Sequence, residues 1–166
     1  GHEAFSEMRS RGANVTDIVV LVVAADDGVK AQTIEAINHA KAAGVPIIVA
    51  VNKIDKPGAQ IEKVKNDLVE KGVYLEGYGG DIPYAEISAK AGTNVDHLLD
   101  LILLATDLNE LTTDTDADPI GIVIESHRDA KRGIMQRLLS KMVSLIKAHL
   151  LQQKQLVLQH GSWKTF

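Results

Sequence analysis

Apolar runs of strand length alternate with segments of helical periodicity along most of the chain. The pattern predicts strands at 17–24, 45–51 and 83–87, and helices at 2–11, 31–43, 61–71 and 95–108. This alternation predicts an α/β fold, a mostly parallel sheet with helices on both faces. Gly44 stands where a helix C-terminal glycine belongs. The helical spacing of four apolar residues in the last helix predicts that they are core: Val95, Leu98, Leu99 and Ile102.

Composition narrows the class of protein. The chain has 166 residues, 45% of them hydrophobic and 24% charged, which suits one core-forming domain and a short appendage. It has no cysteine, which excludes disulfides and thiolate metal sites. The longest apolar stretch, from Ile18 to Ala25, is too short to cross a bilayer, so no transmembrane segment is expected. Because the sequence opens on Gly1 without an initiator Met, we expect a fragment or a processed product.

The motif Asn52-Lys53-Ile54-Asp55 directly follows the second predicted strand. Guanine presents two adjacent N–H donors, N1 and N2, and an ionised carboxylate such as Asp55 can accept both, whereas adenine offers no such pair. Asn52 is expected to order the loop and face the other base edge, and the alkyl stem of Lys53 to cover the ring. A polar turn after a strand is the alternative reading of these four residues.

A second motif, Ser88-Ala89-Lys90, follows the third predicted strand. Both motifs lie beyond the carboxyl ends of strands, where open α/β sheets bind ligands. Together they resemble the two guanine-binding loops of GTPases. That resemblance implies that the Ala89 N–H meets the base O6 and that Ser88 supports the Asp55 carboxylate, with Lys90 completing the loop.

Longer stretches resemble the translation initiation factor two family of bacteria and mitochondria: 1–5, 15–29 and 32–41, with similarity continuing to about Gly133. The resemblance implies a P-loop GTPase-like fold that begins inside switch II, with Gly1 as the switch residue and His2 as the catalytic residue. It implies GTP or GDP as ligand, and ribosome and initiator tRNA as partners of the intact protein. Lys30-Ala31 departs from the Met-Pro usual there, which removes a Pro suited to a first helical turn.

The phosphate-binding motif G-x-x-x-x-G-K-[ST] is absent from the sequence. We therefore expect an N-terminally truncated domain that binds guanine nucleotide weakly and hydrolyses none, which leaves enzymatic activity uncertain. In the family, Mg²⁺ arrives with the nucleotide. The alternative is a non-catalytic guanine-nucleotide or ribosome-interaction module that works without a phosphate loop.

No protein-held metal is expected. Asp26-Asp27 could contribute to a hard-cation site, but an acidic surface turn closed by Gly28 is the favoured interpretation, because adjacent side chains diverge. His39 and His97 stand beside polar neighbours in helical segments, which favours solvated positions.

The predicted organisation is a partial G domain at 1–108, an acidic linker at 109–119, the start of a β-barrel domain at 120–133, and a divergent basic tail at 134–166. Residues 131–164 contain seven basic residues, and no Asp or Glu follows Asp129. Apolar residues in this tail recur at helical spacing, which predicts a basic amphipathic helix: Met135, Leu138, Leu139, Met142, Leu145, Ile146 and Leu150.

Such a helix could contact RNA, a membrane surface or an acidic face of its own protein. An altered coding frame or exon boundary near residue 134 is the favoured explanation of the tail. The expected compartment is the mitochondrial matrix or the bacterial cytoplasm, with a slight lean to mitochondria from residues 61–64.

Overall fold

The computed structural model describes residues 9, 12–13, 15–112, 120–129, 133–141, 156–159 and 162–165. The chain divides into two units, Gly1–Leu111 and Thr112–Phe166. The expected helix at 2–11 lies almost wholly outside the described residues, as do Gly1 and His2. The finer division into G domain, linker, barrel start and tail remains a prediction.

The first unit contains a parallel three-stranded sheet in the order β1-β2-β3. Its strands and helices follow one another as β1 (Val19–Ala24), α1 (Ala31–Ala43), β2 (Ile47–Asn52), α2 (Ile61–Glu70), β3 (Tyr84–Glu86) and α3 (Val95–Leu108). The predicted α/β architecture is therefore confirmed. The strands are shorter than predicted, and two of the helices have the predicted bounds.

Alternate side chains of the strands supply two apolar layers. Val49 and Val51 of β2 join a large core cluster with residues of α1 and α2, among them Ile37 and Leu68. Ala50, between those valines, belongs to a smaller cluster against which Leu98 and Leu101 of α3 pack. Helices therefore cover both faces of the sheet, as the sequence pattern predicts.

Helix α3 corrects one expectation about the core. None of its residues is fully buried, and the side chain of Leu99 is 51% exposed. Leu98 and Leu101 make the helix's contacts with the smaller cluster, and Leu99 follows Leu98 by about 100° around the helix axis. The apolar pattern thus predicted the helix correctly but assigned Leu99 to the wrong face.

Helix α1 ends as its sequence predicts. Gly44 has φ 66°, in the left-handed region that glycine adopts without the steric cost of a Cβ. Its N–H donates to Lys41 O at 3.1 Å, and Val45 N–H donates to Ala40 O at 3.3 Å. These bonds satisfy carbonyls at the end of the helix and turn the chain into β2.

The second unit contains two antiparallel hairpins, β4 (Ile120–Asp129) with β5 (Gly133–Lys141) and β6 (Leu156–Gln159) with β7 (Ser162–Thr165). The prediction of a helix is therefore wrong for residues 134–141. A short apolar run does not distinguish helix from strand, and here β4 supplies a neighbouring strand as partner. The rest of the predicted helical stripe, at 142–150, lies outside the described residues.

Candidate guanine-binding site

The carboxyl ends of three parallel strands bring the two motifs to one edge of the sheet. β2 ends at Asn52, and Ser88 follows β3 after a single residue. Two backbone bonds join the segments that directly follow neighbouring strands: Ala25 N–H donates to Asn52 O at 2.7 Å, and Ile54 N–H donates to Ile87 O at 3.3 Å. Residues 27 and 33 positions apart in sequence therefore meet at this edge.

The contact expected between Ser88 and Asp55 is present. Ser88 Oγ donates to Asp55 Oδ1 at 2.6 Å, and the same hydroxyl accepts Ala91 N–H at 3.1 Å. Ser88 is fully buried, whereas the Asp55 carboxylate is exposed. An ionised carboxylate has about four acceptor positions, so this arrangement fixes Asp55 and leaves it capacity for further donors.

Electrostatics keep Asp55 ionised. The hydrogen bond from Ser88 lowers the pKa of Asp55 below its ordinary value, and the positive charges of Lys90 and Lys56 add to this effect. The carboxylate therefore remains an acceptor throughout the neutral range, which suits the recognition of two adjacent N–H donors.

Asn52 joins the two loops through one side-chain oxygen. Its Oδ1 accepts Lys53 N–H at 2.7 Å and Ala89 N–H at 3.0 Å. The first bond supports Lys53 in the left-handed region, φ 65°, which is uncommon for a residue with a side chain. The second bond occupies the amide that the sequence assigns to the base O6, so Asn52 and a base would share that donor.

The second loop is closed by its own backbone. Ser88 and Thr93 exchange two N–H to O bonds, each of 3.1 Å. Asn94 Nδ2 donates to Glu86 O at 2.9 Å, which ties the start of α3 back to β3. Neither Thr93 nor Asn94 belongs to a recognisable motif, and their part in the loop is visible only in the structure.

The side chain of Lys53 extends from the first loop towards the end of β1. Its Nζ lies 3.2 Å from Asp26 Oδ1 and 3.3 Å from Asp27 Oδ2. The negative charges of these two carboxylates, first that of Asp26 and then that of Asp27, raise the pKa of Lys53. The pair Asp26-Asp27 is thus an ion-paired turn, closed by Gly28 at φ 74°.

The described residues contain no group of three or more His, Cys, Asp or Glu side chains that could hold a metal ion. Lysines neutralise Asp26 and Asp27, so these carboxylates do not fit Mg²⁺, which needs several free oxygen ligands. His39 Nε2 lies 3.3 Å from Glu35 Oε1, and His97 is exposed. No helix in the described part of the chain has the length and apolarity needed to span a bilayer.

A family profile described as the Elongation factor Tu GTP binding domain matches residues 1–107. The chain belongs to this family. Both candidate loops lie within the matched region, and the GTP binding of the family agrees with a site for guanine.

The similar proteins described next are translation initiation factors of the IF-2 type. The chain is 58% identical over 133 residues to translation initiation factor IF-2 of Roseiflexus sp. (strain RS-1), covering 80% of this chain and 18% of that one. It is 56% identical over 139 residues to the IF-2 of Streptococcus agalactiae serotype III, covering 84% and 15%. The chain therefore spans less than a fifth of the length of these relatives. Both are bacterial, so the lean towards mitochondria gains no support.

Two solved structures share the fold. GDP-bound aIF5B from Aeropyrum pernix superimposes with a TM-score of 0.64 at 25% identity, covering 84% of this chain and 29% of that one. Elongation factor SelB from Methanococcus maripaludis, with a GTP analogue, gives 0.62 at 24% identity, covering 86% and 32%. The likeness to SelB concerns the fold alone.

Proposed function

We propose that the chain is the guanine-reading part of a translation initiation factor GTPase. The observation that carries the proposal is the hydrogen bond of 2.6 Å from buried Ser88 to exposed Asp55. It holds in place a carboxylate whose remaining acceptor positions suit the N1 and N2 donors of guanine. Asn52 holds the second loop against the first, so the two motifs act as one recognition surface.

The identity of the relatives extends the proposal to the whole protein. The protein binds and hydrolyses GTP and promotes binding of initiator tRNA to the small ribosomal subunit, in the cytoplasm of a bacterium. Mg²⁺ enters with the nucleotide, since the acidic pair Asp26-Asp27 beside the loops is ion-paired with lysines. Gly1 serves as the switch residue and His2 as the catalytic residue, both outside the described residues.

The chain of 166 residues binds guanine nucleotide weakly by itself and does not hydrolyse it. Much of the phosphate affinity in P-loop proteins comes from backbone N–H groups and the Lys of G-x-x-x-x-G-K-[ST], which this sequence lacks. The same observation favours the second candidate function, a non-catalytic guanine-nucleotide or ribosome-interaction module.

Titration of the ¹⁵N-labelled chain with GDP and, separately, ADP tests the proposal. We expect GDP to shift the amide signals of Asp55 and Ala89 with a dissociation constant above the micromolar range, and ADP to bind more weakly. Equal binding of both nucleotides would remove the basis for guanine recognition. Sub-micromolar affinity for fluorescent GDP would instead refute weak binding.

A further inference from the structure

One carboxylate at the end of β1 binds the lysines that stand on either side of Asp55 in sequence. Lys56 Nζ lies 2.7 Å from Asp26 Oδ2, and Lys53 Nζ lies 3.2 Å from Asp26 Oδ1. Only the contact with Lys56 is an aligned hydrogen bond, because Oδ1 has no aligned partner among the described residues. Lys56 is therefore the lysine that Asp26 holds more firmly.

The backbone brings both lysines to this position. Lys56 N–H donates to Lys53 O at 3.2 Å, which closes a turn around Asp55. Gln60 N–H donates to Ala25 O at 2.8 Å, so the chain leaving the turn is fixed beside the end of β1. The two lysines, Asp26 and the candidate guanine-binding carboxylate thus belong to one compact arrangement.

The neighbouring turn residue does not share this contact. Asp27 Oδ2 lies 3.3 Å from Lys53 Nζ, and its side chain is 58% exposed against 21% for Asp26. Among the described residues, Asp26 supplies the one ion pair of Lys56, whereas Lys53 has two acidic partners. Loss of Asp26 would therefore release Lys56 and leave Lys53 paired with Asp27.

A released Lys56 would have Asp55 as a neighbouring partner. The Lys ammonium carries three donors on a flexible stem, and its attraction to a carboxylate grows as their separation falls. An ion pair between Lys56 and Asp55 would occupy acceptor positions that guanine needs. The surface that reads the base thus requires Lys56 to point elsewhere.

We propose that Asp26 is a positioning residue that holds Lys56 away from Asp55 and so keeps the Asp55 carboxylate open to guanine. This role rests on the proposed function of the two loops. It assigns specificity to a residue outside both motifs, through a contact between positions 30 apart in sequence.

The test compares GDP binding by the full chain and by four variants, followed by NMR titration. Asp26→Asn keeps the shape of the side chain but removes its charge, and we expect roughly fivefold weaker GDP binding, the upper end for an exposed ion pair. Asp27→Asn is the matched control and should change affinity less than twofold. Lys56→Met should bind as the unmodified chain does, and Asp26→Asn combined with Lys56→Met should recover binding to within twofold.

Recovered GDP binding in the double variant would distinguish a positioning role of Asp26 from a general loss of structure. Replacing Lys56 can restore the site only if Lys56 blocks it. A second readout without nucleotide is the ¹³Cγ titration of Asp55, whose pKa should fall further in Asp26→Asn and return when Lys56 is also replaced. Unchanged GDP binding by Asp26→Asn, or a loss that Lys56→Met does not repair, would overturn the proposal and leave the proposed function standing. Equal binding of GDP and ADP by the unmodified chain would contradict the proposed function itself, and the role of Asp26 would fall with it.

Discussion

Replacement of Lys65 by Met should show how strongly a buried cation joins α2 to β3. Lys65 is 4% exposed and its Nζ lies 2.6 Å from Glu86 Oε1 and 2.9 Å from Glu62 Oε1. The same ammonium lies 4.9 Å from the ring centre of Tyr84 and 5.2 Å from that of Tyr78. Although burial opposes the charge, the hydrogen bonds to Glu86 and Glu62 raise the pKa of Lys65 above its ordinary value.

The expected loss of unfolding free energy depends on whether the acidic partners of Lys65 can be hydrated after the replacement. Met preserves most of the buried stem but removes the charge, so two cation–π contacts and the ion pairs with Glu86 and with the exposed Glu62 are lost. A fully buried pair would cost about 3–5 kcal/mol when one partner is removed. Because the side chain of Glu86 is 35% exposed and can be rehydrated, we expect a smaller loss of about 2 kcal/mol. This corresponds to a fall of roughly 8 °C in the unfolding midpoint.

Equilibrium unfolding in urea, followed by circular dichroism, measures this loss directly. Lys63→Met is the matched control, since Lys63 is exposed on the same helix, and it should change the free energy of unfolding by less than about 0.5 kcal/mol. Lys65→Arg keeps the charge and should recover part of the loss. If Lys65→Met were no more destabilising than Lys63→Met, the inference that this cation stabilises the packing of α2 on β3 would be wrong.

Two further predictions concern the site and its charges. Ser88→Ala should weaken GDP binding roughly fivefold, because the donor that fixes Asp55 is lost; Thr106→Ala, which removes a hydroxyl bonded to Leu103 O on α3, should leave binding unchanged in the same titration. The second prediction concerns stability at acidic pH. The pKa values of Asp26, Asp55 and Glu62 lie below their ordinary values of 3.8, 3.8 and 4.5. Groups with lowered pKa stabilise the fold above those values and lose that contribution as the pH falls. The free energy of unfolding should therefore be level from pH 7 to about 5 and decline below about 4.5; a rise on acidification would contradict the stabilising hydrogen bonds and ion pairs of these carboxylates.

Local sequence signals predicted much of the first unit. The helices at 31–43 and 95–108 have the predicted bounds, and Gly44 ends the first of them. Periodicity also placed both motifs at the carboxyl ends of strands, which brought Asn52, Asp55 and Ser88 together in the expected place. The helix bounds and the cap depend on neighbours within one turn, whereas the meeting of the motifs follows from the parallel alignment of the strands that precede them.

The sequence prediction failed where the hydrophobic pattern suits both helix and strand, and it missed contacts between residues that are distant in sequence. Residues 134–141 show helical spacing, yet pairing with β4 makes them a strand. Two ion pairs join residues that are distant in sequence: Lys56 with Asp26, 30 positions apart, and Lys65 with Glu86, 21 positions apart. No sequence motif indicates either pair. Only the fold of the chain shows which lysines are held and by which carboxylates.

The replacement Asp55→Asn tests most directly the central claim that Asp55 recognises guanine. Guanine offers N2 donors where xanthine has a carbonyl oxygen, so Asp55→Asn replaces an acceptor by a group that can donate to xanthine. NMR titrations of the unmodified chain and of Asp55→Asn with GDP and with XDP give four affinities. We predict that the unmodified chain prefers GDP and that Asp55→Asn prefers XDP. An unchanged preference for GDP in Asp55→Asn would contradict the claim that Asp55 reads the base.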